Sequence, residues 1–159
     1  MKVFIGSDRI GFELKGEIIK SLNSKEYDVS DIGPFEYKSV HYPQIAVEVS
    51  QCVNDNLDSL GILICSTGIG ISIAANKIKN IRAANCTNLF MTERSRLHNN
   101  ANVLCLGADV IETETALKIV EKFLTTPFEG GKQIERLKMI EELDDNKSKR
   151  KQENGMHCT

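Results

Sequence analysis

The chain has 159 residues, a formal net charge of −2, and 41% hydrophobic against 26% charged residues. That length fits one domain of roughly 100–200 residues, whose core buries about two-thirds of the unfolded surface. Twenty basic residues against 22 acidic ones leave no basic excess for general nucleic-acid binding, and no apolar run approaches the ~18–20 residues of a membrane span.

The opening segment MKVFI is too short for a signal-peptide core. Cysteines at 52, 65, 86, 105 and 158 form no CxxC pair, and there are three histidines, so free thiols are expected rather than a metal site. The expected compartment is the cytosol.

In chain order, residues 2–6 predict a first strand, and Ile10, Leu14, Ile18 and Leu22 predict a helix face. Residues 27–32 predict a second strand, closed by Gly33-Pro34. Ile45, Ala46, Val49 and Val53 follow as a helical stripe, with Pro43 near its first turn. Residues 61–65, GILIC, form an apolar run typical of a strand buried on both faces. A helix over 69–79, a strand over 81–86, a helix over 88–98 and a strand over 102–106 come next. Ala116, Ile119, Val120, Phe123 and Leu124 mark a fifth helix.

This alternation predicts a Rossmann-like α/β/α sandwich around a five-stranded parallel sheet, with ligands outside the carboxyl ends of its strands. After Pro127, the FEGG segment predicts a hinge. Ile134, Leu137, Ile140 and Leu143 then mark an extra C-terminal helix, surplus to the layers and suited to packing on another subunit. Residues 1–143 are taken as the functional domain. Residues 144–159 are taken as a charged, disordered tail, since 144–154 contain no apolar residue.

The most informative stretch is Cys65-Ser66-Thr67-Gly68-Ile69-Gly70-Ile71-Ser72, which follows the buried strand and opens a helix. Its glycines either make a tight strand-to-helix turn or gather backbone amides into an anion-binding nest. The absence of Gly-Lys-Ser/Thr excludes a P-loop. Ile73 stands where a dinucleotide fingerprint needs its third glycine. Cys65, at the strand end beside those amides, is a candidate nucleophile or base; Cys52, Cys86 and Cys105 fall in apolar patterns and suit the core. Asp8-Arg9, His41-Tyr42 and the group Arg94, Arg96, His98 and Asn99 are further polar candidates expected at or next to the carboxyl edge. Asp8 also suits a helix cap, and Lys132 and Arg136 suit a solvated helix face.

Together these motifs resemble the type B ribose-5-phosphate isomerases and their relatives, which include the galactose-6-phosphate isomerase subunits. The resemblance covers residues 1–143. It rests on GSDRIGFELK at 6–15, Asp31 to Gly33, His41 to Pro43, GILICSTGIGISIAANK at 61–77, IRAA at 81–84, RLHNNANVLCLGAD at 96–109, and FEGG with Arg136. It implies a dimer, or a higher assembly, with active sites at the subunit interface. It also implies interconversion of an aldose phosphate and a ketose phosphate without metal or cofactor.

By this resemblance Cys65 moves the proton between C2 and C1, Thr67 assists at the sugar oxygens, and the amides of Ser66, Gly68, Ile69 and Gly70 hold the enediolate. His98 opens the furanose ring, Asp8 and Asn99 bind sugar oxygens, and Tyr42 packs beside the sugar. Arg9, Lys132 and Arg136 belong to the phosphate cradle. Bottom-up chemistry agrees, since enolisation needs a base near the carbon and donors aimed at the oxyanion.

Three residues depart from the usual pattern. Arg9 replaces a histidine, Lys132 an arginine and Ser66 a glycine. Arg offers a planar fork and Lys a point charge, so these changes bear on sugar preference. Ribose 5-phosphate is the expected substrate. Allose or galactose 6-phosphate, and a non-catalytic phosphosugar-binding module, are the alternatives.

Overall fold

The structure, a computed structural model, describes the backbone of residues 1–154 and the side chains of residues 1–144. Its elements are β1 (Lys2–Ser7), α1 (Phe12–Ser24), β2 (Asp28–Gly33), α2 (Tyr42–Asp55), β3 (Leu60–Cys65), α3 (Ile69–Ala75), β4 (Ala83–Asn85), α4 (Leu89–Leu97), β5 (Val103–Gly107), α5 (Thr113–Thr125) and α6 (Lys132–Asn154). Two compact units divide the chain after Phe128.

In the first unit the strands form one parallel sheet in the order β2-β1-β3-β5-β4. Parallel neighbours need crossover helices, which cover both faces and demand strands apolar on both sides; β3 is buried at every residue. Its alternation sends Ile62 and Ile64, with Leu104 and Leu106 of β5, toward Leu14, Ile18 and Leu22 of α1 and Ile119 and Phe123 of α5. Leu63, Cys65, Val103 and Cys105 face the opposite layer, against Ile45 and Val49 of α2 and Ile71 of α3. This is the three-layer sandwich that the sequence predicts.

The order also fixes where a ligand fits. Leaving β1 the chain enters α1 on one face, and leaving β3 it enters α3 on the other. The two loops diverge at the carboxyl edge, between adjacent strands, and open the crevice of a topological switch point.

Three element boundaries differ from the sequence reading by two residues or more, each for a local reason. Ile10 is 39% exposed and precedes the helix. The Gly11 amide donates to Asp8 Oδ1 at 2.9 Å, and a Cβ on Gly11 would come 2.6 Å from Ile64 Cγ2, so a turn packed on β3 occupies these residues and α1 starts at Phe12. Helix α3 stops at Ala75 because Asn76 turns away and bonds both the Ala83 amide and the Ala83 carbonyl, each at 2.9 Å. Strand β4 starts at Ala83 because the Arg82 amide is taken by the Asn102 side chain at 2.8 Å.

One buried charge organises the β2 end of the sheet. Lys15, 2% exposed, donates to Asp31 Oδ1 at 2.6 Å, Asp31 Oδ2 at 2.8 Å and the Pro34 carbonyl at 2.6 Å. Asp31 Oδ1 also accepts the Gly33 amide at 2.8 Å. An ammonium is buried tolerably only when its hydrogens are satisfied, and these oxygens do so. Lys15→Met is expected to lower unfolding free energy by about 2–3 kcal/mol, at or just under the low end of the ~3–5 kcal/mol for breaking a fully buried pair, because Asp31 keeps 29% exposure. Urea denaturation checks this, and an unshifted midpoint would contradict it.

In the second unit, Gly130 and Gly131 take φ of 70° and 58°, backbone that glycine adopts without strain. Helix α6 follows, with Ile134, Met139, Ile140 and Leu143 between 44% and 62% exposed. Its backbone is helical to Asn154, and residues 155–159 of the expected tail lie outside those described. Among the described residues no helix is long and apolar enough to cross a membrane.

Candidate active site

At the carboxyl end of β3 the chain turns sharply into α3. Gly68 sits at φ 77°, and a Cβ there would meet Asn85 Oδ1 at 2.3 Å and the Leu106 carbonyl carbon at 3.0 Å. The turn therefore needs glycine twice over, for its backbone shape and for its neighbours. The Gly68 amide donates to Cys65 Sγ at 3.2 Å, and the Ile69 amide to Thr67 Oγ1 at 3.3 Å. The amides of Gly70 and Ile71 belong to the first helical turn, where no intrahelical acceptor exists. Cys65 is 5% exposed, so its sulfur lies at the base of this amide-lined turn.

Tyr42, the first residue of α2, closes one side. A Cβ on Gly70 would fall 2.8 Å from Tyr42 Cζ and 3.0 Å from its hydroxyl, so the ring lies directly over the nest. Pro43 stands in the first turn of α2, as its sequence position predicts.

Neighbouring strand ends brace the turn. Ser66 Oγ donates to Asp109 Oδ2 at 2.7 Å, and the Asp109 amide donates to the Ser66 carbonyl at 2.9 Å. Asn85 Nδ2 donates to the Thr67 carbonyl at 3.4 Å. Gly107 must lack a side chain because a Cβ would come 2.6 Å from the Thr67 carbonyl carbon. Sequence reasoning assigned no site role to Asn85 or Asp109. Their signal was available: each is a polar residue at or just past the carboxyl end of a strand.

Across the switch point lies the β1–α1 turn. The Asp8 amide donates to the Ile64 carbonyl at 3.0 Å, stitching this turn to the end of β3. Asp8 spends one carboxylate oxygen on the Gly11 amide. Arg9 does not pair with its neighbour Asp8; its guanidinium donates to the Tyr37 hydroxyl at 3.2 Å and lies 5.5 Å from that ring's centroid. The structure thus brings Asp8, Arg9, Tyr42, Cys65, Ser66, Thr67, Gly68, Ile69 and Gly70 to the carboxyl edge of β1 and β3.

His98 and Asn99 are elsewhere, and the expectation that they lie at that edge needs correction. Helix α4 runs back antiparallel to the strands, so its end reaches the amino edge. There the Gly61 amide, at the start of β3, donates to the Asn102 carbonyl at 2.8 Å. Four residue steps of β3 separate Gly61 from Cys65, about 13 Å at ~3.3 Å per residue. His98 ends α4 half-buried, with Nε2 3.1 Å from Arg94 Nη1. An arginine can only donate, so Nε2 is the acceptor wherever this contact is a hydrogen bond.

Arg96 is structural. It donates to the carbonyls of Thr126, at 3.2 Å, and Ala101, lies 5.4 Å from the centroid of the Phe123 ring, and burial pushes its pKa down. Lys132 opens α6, and Arg136 donates to Gln133 Oε1 at 3.1 Å within the second unit.

Cys86 and Cys105 behave as core groups. Burial pushes Cys105 well above the usual thiol range, with Cys65 and Cys86 nearby adding to the shift, and burial likewise raises Cys86. Both therefore stay protonated at neutral pH and are poor nucleophiles. Among the described residues no group of three or more His, Cys, Asp or Glu could hold a metal ion.

Comparison with known proteins places this arrangement. The sequence profile of the Ribose/Galactose Isomerase family matches residues 3–140. Ribose-5-P isomerase B of Listeria innocua is 41% identical over 144 residues, 91% of this chain and 97% of that protein. Among solved structures, ribose-5-phosphate isomerase B of Clostridium thermocellum superposes with a TM-score of 0.89 at 45% identity, covering 92% of this chain and 99% of that one. The Mycoplasma genitalium enzyme, solved with bound ribulose-5-phosphate, gives 0.87 at 39% identity, covering 91% and 96%. A parallel sandwich with a cysteine under a glycine-rich amide turn at its switch point, matched along nearly its whole length, identifies the chain as a member of the ribose/galactose isomerase family and a sugar-phosphate isomerase.

Proposed function

We propose that the protein interconverts ribose 5-phosphate and ribulose 5-phosphate through an enediolate, with Cys65 as the base. The observation that carries this reading is the Gly68 amide directed at Cys65 Sγ inside a turn whose Gly70 and Ile71 amides have no intrahelical acceptor. A thiolate there removes the proton from C2, and the C2–H electrons form the C1–C2 double bond. The negative charge comes to rest on O1, where the turn's amides stabilise it without reorganising. The O2 proton passes to O1 with Thr67 assisting, and Cys65 returns its proton to C1. Tyr42 over Gly70 shields the planar intermediate from water.

His98 is assigned to opening the furanose ring. Its Nε2 can take a hydroxyl proton once the ring exchanges the Arg94 contact for the substrate. Because α4 ends at the far edge of its own sheet, this role calls for a dimer in which His98 of the partner subunit enters the crevice, accompanied by Asn99 of the partner subunit. Asp8 takes sugar hydroxyls, while Arg9, Lys132 and Arg136 take the phosphate. The exposed apolar residues Ile134, Ile140 and Leu143 of α6 suit an intersubunit contact. The described cysteines, Cys52, Cys65, Cys86 and Cys105, are free thiols, which suits the cytosol.

Isomerase assays of the purified protein, with chelator present, test the reading on ribose 5-phosphate, allose 6-phosphate and galactose 6-phosphate. Turnover is expected with chelator and fastest on ribose 5-phosphate. Preference for a six-carbon sugar would overturn the substrate assignment, and inactivity on all three would overturn the reading itself. His98→Asn should leave binding of a planar hydroxamate, an enediolate mimic, unchanged in titration calorimetry, because the amide turn and Cys65 are intact.

A further inference from the structure

We infer that Tyr37, in the connection between β2 and α2, is a positioning residue that sets the sugar-phosphate affinity by aiming Arg9. Its hydroxyl accepts from Arg9 Nη1 at 3.2 Å, and its ring lies under the guanidinium at 5.5 Å. The ring is in turn braced edge-on by Phe12 at the start of α1, with centroids 6.0 Å apart. The connection itself is anchored three residues earlier, where Lys15 holds the Pro34 carbonyl at 2.6 Å. Arg9 projects from a turn already fixed by Asp8 at both Gly11 and Ile64.

Both ends of the Arg9–Tyr37 contact are therefore held by separate buried structure, although both side chains are exposed. A free arginine loses rotamer entropy when it clamps an anion; one already docked on a ring has lost much of it beforehand, which favours binding. The hydroxyl fixes the plane of the fork, and the fork's remaining N–H groups stay available for a phosphate.

This inference rests on the reading of Arg9 as a phosphate ligand, and the test separates the two. KM for ribose 5-phosphate and the inhibition constant of inorganic phosphate are measured for Tyr37→Phe, Tyr37→Leu, Arg9→Ala and the Arg9→Ala/Tyr37→Leu double variant. Tyr37→Phe keeps the ring and should raise both constants about twofold. Tyr37→Leu removes ring and hydroxyl and should raise them about fivefold, the worth of one exposed cation–π contact, with kcat held within twofold. In the Arg9→Ala background Tyr37→Leu should add nothing, since its effect passes through Arg9. Unchanged constants in the Tyr37 single variants, or effects that multiply with Arg9→Ala, would overturn the inference while the phosphate reading stands. An Arg9→Ala variant with unchanged constants would overturn the phosphate reading and Tyr37's role with it.

Discussion

Cys65→Ala should lower kcat for ribose 5-phosphate by about 10²–10⁴-fold, the usual worth of a positioned acid–base group, while the protein remains folded. The sulfur is the only titratable side-chain atom that the turn itself carries, and Gly68 donates its amide to it. Neither Cys86 nor Cys105 can substitute, because burial keeps both protonated and both sit in the core. The lost sulfur leaves a small gap in the layer under α2 and α3, which costs about 1 kcal/mol on the scale of a deleted methylene. Steady-state kinetics beside a urea titration separate the two effects. A loss of activity that tracked a loss of folded protein would count against Cys65 as the base.

Gly68→Ala should be the most damaging substitution of a residue with no functional side chain. The new Cβ would need φ 77° and would meet Asn85 Oδ1 at 2.3 Å and the Leu106 backbone at 3.0 Å. A strained residue of this kind costs on the order of 1–3 kcal/mol. Relieving that strain moves the amides that face the ligand, and misplacing one oxyanion donor costs about 10²–10³-fold in kcat. Gly16 supplies the contrast. It lies within α1, and a Cβ there meets nothing within 4 Å. Gly16→Ala should therefore stabilise the protein by roughly 0.5–1 kcal/mol and leave kcat unchanged. Denaturant midpoints and kcat for the two variants check the pair; equal effects would show that the shape of the turn at residue 68 carries no function.

The sequence made the layers legible because burial on both faces leaves a plain mark. A run such as GILIC can only be satisfied between two helical layers, and the residues expected on α5 are all in the core. The glycine-rich turn was legible for a related reason: glycines at fixed positions mark a backbone that no side chain can share. Ile10 misled because its fourfold spacing to Leu14 is real, yet Asp8 and the close packing of Gly11 on Ile64 hold the segment in a turn. Local periodicity does not contain that tertiary contact. His98 misled for a topological reason. Its neighbourhood in sequence carries site-like residues, but a helix that follows one parallel strand must return to the amino edge before the next begins.

The Lys15–Asp31 pair and the Arg9–Tyr37 contact were invisible for a third reason. Each joins residues distant in the chain, and the sequence does not say which of its many charged and aromatic residues will meet. Lys15 lies within a helical stretch and would ordinarily be assigned to solvent. Only the arrangement of β2 beside β1 brings Asp31 and the Pro34 carbonyl over it.

The central claim is a division of labour in which Cys65 moves the carbon-bound proton and His98 opens the ring. It is tested most directly by comparing Cys65→Ala and His98→Asn on two substrates, ribose 5-phosphate and a short aldose phosphate that cannot cyclise. Cys65→Ala should be slow on both, because both need a proton removed beside the carbonyl. His98→Asn should be slow on ribose 5-phosphate and close to wild type on the short sugar, which has no ring to open. Near-normal rates for Cys65→Ala, or an equal failure of His98→Asn on both substrates, would contradict the account.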